Sequence, residues 1–289
     1  MNIKPVELTT GKGNLPMLKV QTPWSAAEIY LHGAHLTHFQ KNGEEPLLFM
    51  SAKSGFAADT AIRGGVPICF PWFGSREGEP AHGLARILSW ELAETVVAPD
   101  GKVRVTLRLP QKLLKPEWEV LRTEFVVTFA DTLTMELTTK NESKDKTLEI
   151  EDCLHTYLHV GDIGAVSITG LQGASYLDNS AGGNGERKTD NEPVLKITKE
   201  TNRLYLDTTS VVEVRDESFR RTIRVEKSNS QSTVVWNPWT TQKMPDDFDP
   251  AYHKNMVCVE SGNIKQNKIS LKPGQTTALK AVLSTAPLK

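Results

Sequence analysis

Alternation with a period of two restricts this chain more than any other feature. In KVRVTLRL, Val103, Val105, Leu107 and Leu109 alternate with Lys102, Arg104, Thr106 and Arg108; in LTMELTTKN, Leu133, Met135 and Leu137 alternate with Thr134, Glu136 and Thr138. Successive side chains of a strand point to opposite faces, so each segment specifies a strand with one buried and one solvated face. SVVEVRD, RTIRVEK, STVVWN and NMVCVES continue the β-rich pattern, and KISLKPGQTTALKAVLS reads as a hairpin turning at Lys272-Pro273-Gly274-Gln275. Helical periodicity is scarce: MPDDFDPAYHKN has room for one or two turns, interrupted by Pro250. The pattern predicts an all-β, mainly antiparallel protein, a large sandwich or barrel. DNSAGGNGERKTDNEP reads as a long surface loop rather than a linker, and no internal repeat divides the 289 residues. A single domain spanning residues 1–289 is expected.

Charge excludes some partners. Thirty-four Lys and Arg residues balance thirty-five Asp and Glu, so no global field draws nucleic acid or an anionic membrane, and neither is expected as a partner. The opening MNIKPVELTTGKGN lacks the apolar core of a signal peptide, and no apolar run is long enough to cross a bilayer, so a cytoplasmic protein is expected. Cys69, Cys153 and Cys258 are scattered without disulfide-framework or zinc-site spacing and read as reduced thiols. A P-loop is missing, and the glycines of AGGNGER lack the strand-to-helix context of a nucleotide site.

Several segments carry candidate chemistry. EDCLHTYLHV sets His155 and His159 four positions apart, which on a helix would suit one zinc ion. On a strand their Cα atoms are about 13 Å apart, too far to chelate. Cys153, His155, Tyr157 and His159 then share a polar face that suits a cleft, while Leu154, Thr156, Leu158 and Val160 form the opposite face. In HGAHLTH only His32 and His38 share a strand face, and a packed or solvated role suits them better than ligation.

RGGVPICFPWFG is less ordinary. Its glycines and prolines set an irregular course that displays Arg63 with Phe70, Trp72 and Phe73. Aromatic faces receive the C–H faces of a pyranose, and a guanidinium fork holds hydroxyl or phosphate oxygens. The plain alternative is that these aromatics fill core. HGLAR adds His82 and Arg86, a second guanidinium for a phosphate clamp or an ordinary ion pair. WNPW offers Trp236 and Trp239 as an aromatic wall or as core. In MVCVESGN, Cys258 and Glu260 point one way and Val257 and Val259 the other, with Ser261-Gly262-Asn263 turning the chain. The thiols fit small apolar fillers better than nucleophiles.

Taken in order, RGGVPICFPWFG, HGLAR with Trp90, LHTYLHV, WNPW, MPDDF and VCVESGN closely resemble the glucose-6-phosphate 1-epimerase group of the aldose 1-epimerase, or galactose mutarotase-like, superfamily. The resemblance runs from Ile29 to the C-terminus. It implies a large antiparallel β-sandwich of the galactose mutarotase-like supersandwich type, a concave active-site cleft, a small-molecule sugar phosphate as ligand, and no metal or organic cofactor. It also implies that His155 of the HTY motif is a general acid and Glu260 of the VCVE motif a general base. Arg63 and Arg86 match arginines that contact substrate and phosphate, and His82 matches a polar cleft residue. Where relatives carry Asp before Arg-aliphatic-Tyr, this chain has Asn202 in TNRLY, leaving Asn202, Asp207 or Asp178 as the contact. A monomer is expected.

The residue types fit the implied reaction. Exchanging the anomers of a hexose takes a proton from O1 and gives one to the ring oxygen; the ring opens to an aldehyde, rotates about C1–C2 and recloses. Carboxylate and imidazole suit these transfers because burial and neighbours set their pKa values. A mutarotase of unphosphorylated sugars and a non-catalytic sugar-phosphate-binding regulator are the alternatives. A glycosidase is disfavoured, since no second carboxylate is assignable opposite Glu260.

Overall fold

The computed structural model describes residues 4–288; Met1 to Ile3 of the opening segment, and Lys289, lie outside the described residues. The chain forms two eight-stranded sheets, a four-stranded sheet and a two-stranded one, all antiparallel within the named strands. No helix among the described residues is long and apolar enough to cross a membrane. This is the all-β, antiparallel architecture that the period-two pattern predicts.

One eight-stranded sheet runs Val166–Thr169, Val212–Asp216, Arg221–Ser228, Thr276–Pro287, Leu133–Asn141, Leu121–Phe129, Val103–Leu109 and Glu91–Val97. The other, the cleft sheet, runs Glu186–Thr189, Ser175–Asp178, Thr201–Leu206, Ser232–Asn237, Met256–Asn263, Asp152–Leu154 and Ile68–Cys69, with Tyr157–His159 also pairing to Met256–Asn263. Val105, Leu107, Phe125, Met135, Leu137 and Leu283 of the first sheet share a buried core with Leu154, Leu158, Val235, Val257 and Val259 of the second. Each such side chain contributes about 1.5–3 kcal/mol when fully removed from water.

Alternation on the central strands of the cleft sheet then places a different set on the far face. Cys153, Tyr157, Val234, Trp236 and Cys258 form a second buried cluster there with Cys69, Phe73 and Phe248. The Ser232–Asn237 and Met256–Asn263 strands are buried on both faces, which explains their weak polar alternation. Core lies on one side of this sheet and the cleft on the other.

Several local expectations are corrected. Lys272 to Gln275 does turn, through Gln275 N–H to Lys272 O, but the flanking segments do not pair with each other. Ile269–Leu271 pairs with Leu148–Ile150, and Thr276–Pro287 joins the large sheet between Arg221–Ser228 and Leu133–Asn141. Pro250 starts the short 3-10 helix Pro250–Asn255 instead of interrupting it, with Asp249 accepting from Ala251 N–H; a first-turn proline has no amide to lose. The long loop is in part a hairpin, since Ser175–Asp178 pairs with Glu186–Thr189. In HGAHLTH the strand begins only at His35, after Gly33 and Ala34 take φ values of 70° and 45°, so His32 and His38 do not lie on one strand. The strand bearing Glu260 continues through Asn263, so Ser261-Gly262-Asn263 is not a turn.

Candidate active site

Glu260 occupies the middle of the cleft sheet and is 1% exposed. On one side its Cα partner is Val234; on the other, Leu154 pairs with Ser261 and Tyr157 with Cys258. That register sets His155 opposite Glu260. EDCLHTYLHV is therefore two short strands with an irregularity at His155 and Thr156, where Thr156 N–H turns back to Leu154 O while Val259 N–H still bonds Thr156 O. The expected face division survives the break in part: His155 and Tyr157 line the cavity with Cys153 buried beneath them, and Leu154 and Leu158 face the core, but His159 is not part of the cavity lining.

His155 Nδ1 lies 3.4 Å from Glu260 Oε1 without hydrogen-bond geometry. The imidazole stacks on Tyr157, with centroids 4.8 Å apart and planes 11° apart, and meets the edges or faces of His82 and Trp236. The other oxygen, Glu260 Oε2, accepts from the Cys153 thiol at 3.4 Å. Gly262 allows this: a Cβ there would sit 2.9 Å from Cys153 Sγ and 2.6 Å from Asp152 O. Burial raises the Glu260 pKa to about 8, against the lowering effects of the Cys153 hydrogen bond and the Arg86 charge. Burial also pushes His155 well below the ordinary imidazole range, with His82, Arg86 and Arg63 adding to the shift.

A cavity of about 390 Å³ opens above this pair. Arg63, Phe73, His82, Tyr157, Asn202 and Trp236 line it with His155 and Glu260, together with Gly74, Ser75, Asn179, Gln242, Lys243 and Lys265. Arg63 is held by Asp247, whose carboxylate oxygens lie 3.2 and 3.3 Å from Nε. Gly74 N–H donates to His82 Nδ1, so neutral His82 carries its proton on Nε2; burial lowers its pKa to about 3. Asn202 is the Cα partner of Trp236, while its neighbour Arg203 bonds Asp190.

Other sequence candidates go elsewhere. Phe70 and Trp72 are packed in the main core, with Trp72 Nε1 donating to Pro80 O, so of the three aromatics in RGGVPICFPWFG only Phe73 reaches the cavity. The cis Phe70-Pro71 bond lies within this irregular course. Arg86 does not line the cavity: its Nη2 donates to Ala81 O, though its charge still acts on His82, His155 and Glu260. Trp239 packs on His253 instead, because Asn237 Oδ1 takes its N–H while Asn237 Nδ2 bonds His253 O and Met256 O; Trp236 forms the wall. Asp178 bonds Ser180 and Lys188, and Asp207 bonds Gln266 and Asn267, away from the cavity wall. His159 packs against Phe219, separated from His155 in its surroundings.

Lys243, Lys265, Gln242 and Asn179 are wall residues that sequence reasoning missed. They stand in turns or at strand ends, where no periodicity marks a facing direction. For a metal, the nearest donor set is His155, Cys258 and Glu260, whose ligand atoms lie within 4.8 Å of one another. The guanidinium of Arg63 acts on Cys258 and that of Arg86 on Glu260, so positive charge already lies beside this donor set.

A sandwich that buries an imidazole beside a carboxylate under an open, polar, aromatic-walled cleft has the equipment of an epimerase working on a small sugar. The chain belongs to the aldose 1-epimerase family, whose model matches residues 16–284. It is 34% identical over 271 residues to a Cenchrus ciliaris protein named "Putative glucose-6-phosphate 1-epimerase", covering 90% of this chain and 82% of that one. An Escherichia coli K12 protein of the same name is 34% identical over 270 residues, covering 90% and 87%. The crystal structure of a Salmonella typhimurium protein described as a "putative mutarotase" superposes with a TM-score of 0.85 at 25% identity, over 98% of this chain and 97% of that one.

Proposed function

We propose that the protein interconverts the α and β anomers of glucose 6-phosphate, with Glu260 taking the proton from O1 and His155 delivering one to the ring oxygen. The observation that carries this reading is the buried cross-strand juxtaposition of His155 and Glu260 at the floor of the cavity. The relatives' names and the cationic side chains of the wall support a phosphorylated substrate.

Burial favours the neutral form of each partner, so near neutral pH the pair holds one proton, resting on Glu260. A proton moved from Glu260 to His155 creates the carboxylate and imidazolium that ring opening needs. After rotation about C1–C2 the transfers reverse. Each acid–base transfer supplies about 10²–10⁴-fold, which suits a reaction that already proceeds in water. Tyr157 and Trp236 support the imidazole and offer aromatic surface to the sugar, while Arg63, His82 and Asn202 offer donors to its oxygens.

The reading is of one domain acting as a cytoplasmic monomer. A continuous core joining the four-stranded sheet to both large ones supports the single domain, and three free buried thiols suit a reducing compartment. Two-dimensional exchange NMR on glucose 6-phosphate and on glucose tests the substrate. Faster catalysed exchange on the phosphorylated sugar is expected; equal or preferential exchange on glucose would favour a general mutarotase.

A further inference from the structure

Lys265 stands just beyond the strand that carries Glu260, at the first position of the 3-10 helix Lys265–Asn267. Its φ of 56° lies in the left-handed region, which costs a non-glycine residue on the order of 1 kcal/mol or more. Glu151 holds it there: Lys265 N–H donates to Glu151 Oε1 at 2.5 Å, while Phe73 N–H donates to Oε2 at 2.9 Å. One carboxylate thus ties the turn after the Glu260 strand to the Phe73-Gly74 segment at the cavity rim. Lys265 lines the cavity, and among the described residues its ammonium has no acidic partner within salt-bridge distance.

The position of that ammonium is informative. Nζ lies 3.7 Å from where a Cβ on Gly74 would stand, and Gly74 N–H is bonded to His82, whose ring meets His155 edge to face at 5.5 Å. The ammonium is therefore on the histidine side of the cleft. In a hexopyranose 6-phosphate the ring oxygen is bonded to C5, which carries C6 and the phosphate. A sugar presenting its ring oxygen to His155 and its O1 to Glu260 sends its phosphate to the histidine side.

We propose that Lys265 is the specificity-determining phosphate contact of this chain, with Ser75 beside it in the wall and Glu151 as the residue that positions it. The inference rests on the glucose 6-phosphate reading and moves the phosphate from an Arg63–Arg86 clamp to the rim lysine. Glu151 acts through Lys265 and Phe73 and does not touch substrate.

Lys265→Met, Lys265→Arg and Glu151→Gln test this by exchange kinetics with glucose 6-phosphate and by inhibition with inorganic phosphate. Lys265→Met is expected to raise KM about tenfold or more, the scale of one charge-assisted hydrogen bond, with kcat within about threefold of wild type. Inhibition by phosphate weakens in parallel, and Lys265→Arg recovers most of both. Glu151→Gln raises KM in the same direction by less. A Lys265→Met protein with wild-type KM and wild-type phosphate inhibition overturns the assignment and leaves the epimerase reading intact. A wild-type protein that exchanges glucose as readily as glucose 6-phosphate and is not inhibited by phosphate overturns that reading, and the assignment with it.

Discussion

His155 and Glu260, far apart in the chain, face each other across two antiparallel strands, with Nδ1 of one 3.4 Å from Oε1 of the other. Among the described residues Nδ1 has no hydrogen-bond partner, and the remaining carboxylate oxygen accepts from the Cys153 thiol. A pair this close and this buried titrates as a unit, and its chemistry depends on how many protons it holds.

The pH profile follows from that proton count. Glu260 has its pKa raised to about 8 and His155 lies well below the ordinary imidazole value, so the one-proton state extends through neutrality up to about pH 8. Plots of kcat/KM against pH are expected to be level near neutrality and to fall above about pH 8, where the pair loses its proton. Activity that climbs through pH 8 would mean that free carboxylate alone limits the rate.

Two aromatics only a residue apart in RGGVPICFPWFG should behave differently. Trp72 packs in the main core, and Trp72→Ala is expected to cost about 3–5 kcal/mol in denaturant unfolding. Phe73 forms part of the cavity wall, so Phe73→Leu should raise KM severalfold at a smaller cost in stability. Similar effects of the two variants on both measurements would contradict the placement.

Asp152 adds a pH-dependent stability term outside the chemistry. It is buried, its Oδ1 accepts from Asn263 Nδ2, its Oδ2 has no partner among the described residues, and burial raises its pKa from 3.8 to about 7. A raised carboxyl pKa means that the folded protein holds the proton more tightly than the unfolded chain. Its stabilising contribution is complete below about 3.8 and is lost as pH rises through about 7. The stability of wild type relative to Asp152→Asn should therefore decline by on the order of a few kcal/mol between pH 4 and pH 8. Urea midpoints that shift in parallel for the two proteins would count against this.

Legibility tracked periodicity. Val103 to Leu109 and Leu133 to Leu137 show their buried faces by alternation alone; Val257 and Val259 are set apart from Cys258 and Glu260 in the same way, but both faces of that strand are buried, which the pattern does not reveal. Motif resemblance singled out His155 and Glu260, but their pairing depends on strand register between distant segments, which no local pattern encodes. RGGVPICFPWFG has no period, so nothing in it separates Phe70 and Trp72, which fill core, from Phe73, which reaches the cleft. Arg86 has the charge expected of a clamp, yet it is not among the cavity-lining residues and its Nη2 donates to Ala81 O; Lys265 acquires its place from a left-handed turn that Glu151 secures. Such placements depend on individual hydrogen bonds, local for Arg86 and long-range for Lys265, and are invisible to residue type.

The central claim is tested most directly by exchange NMR of glucose 6-phosphate with wild type and with Glu260→Gln, an amide of the same shape that cannot accept the O1 proton. Wild type is expected to catalyse anomer exchange and Glu260→Gln to lose about 10²–10⁴-fold in kcat while still folding and binding the sugar phosphate. Exchange by Glu260→Gln at close to the wild-type rate would contradict the account.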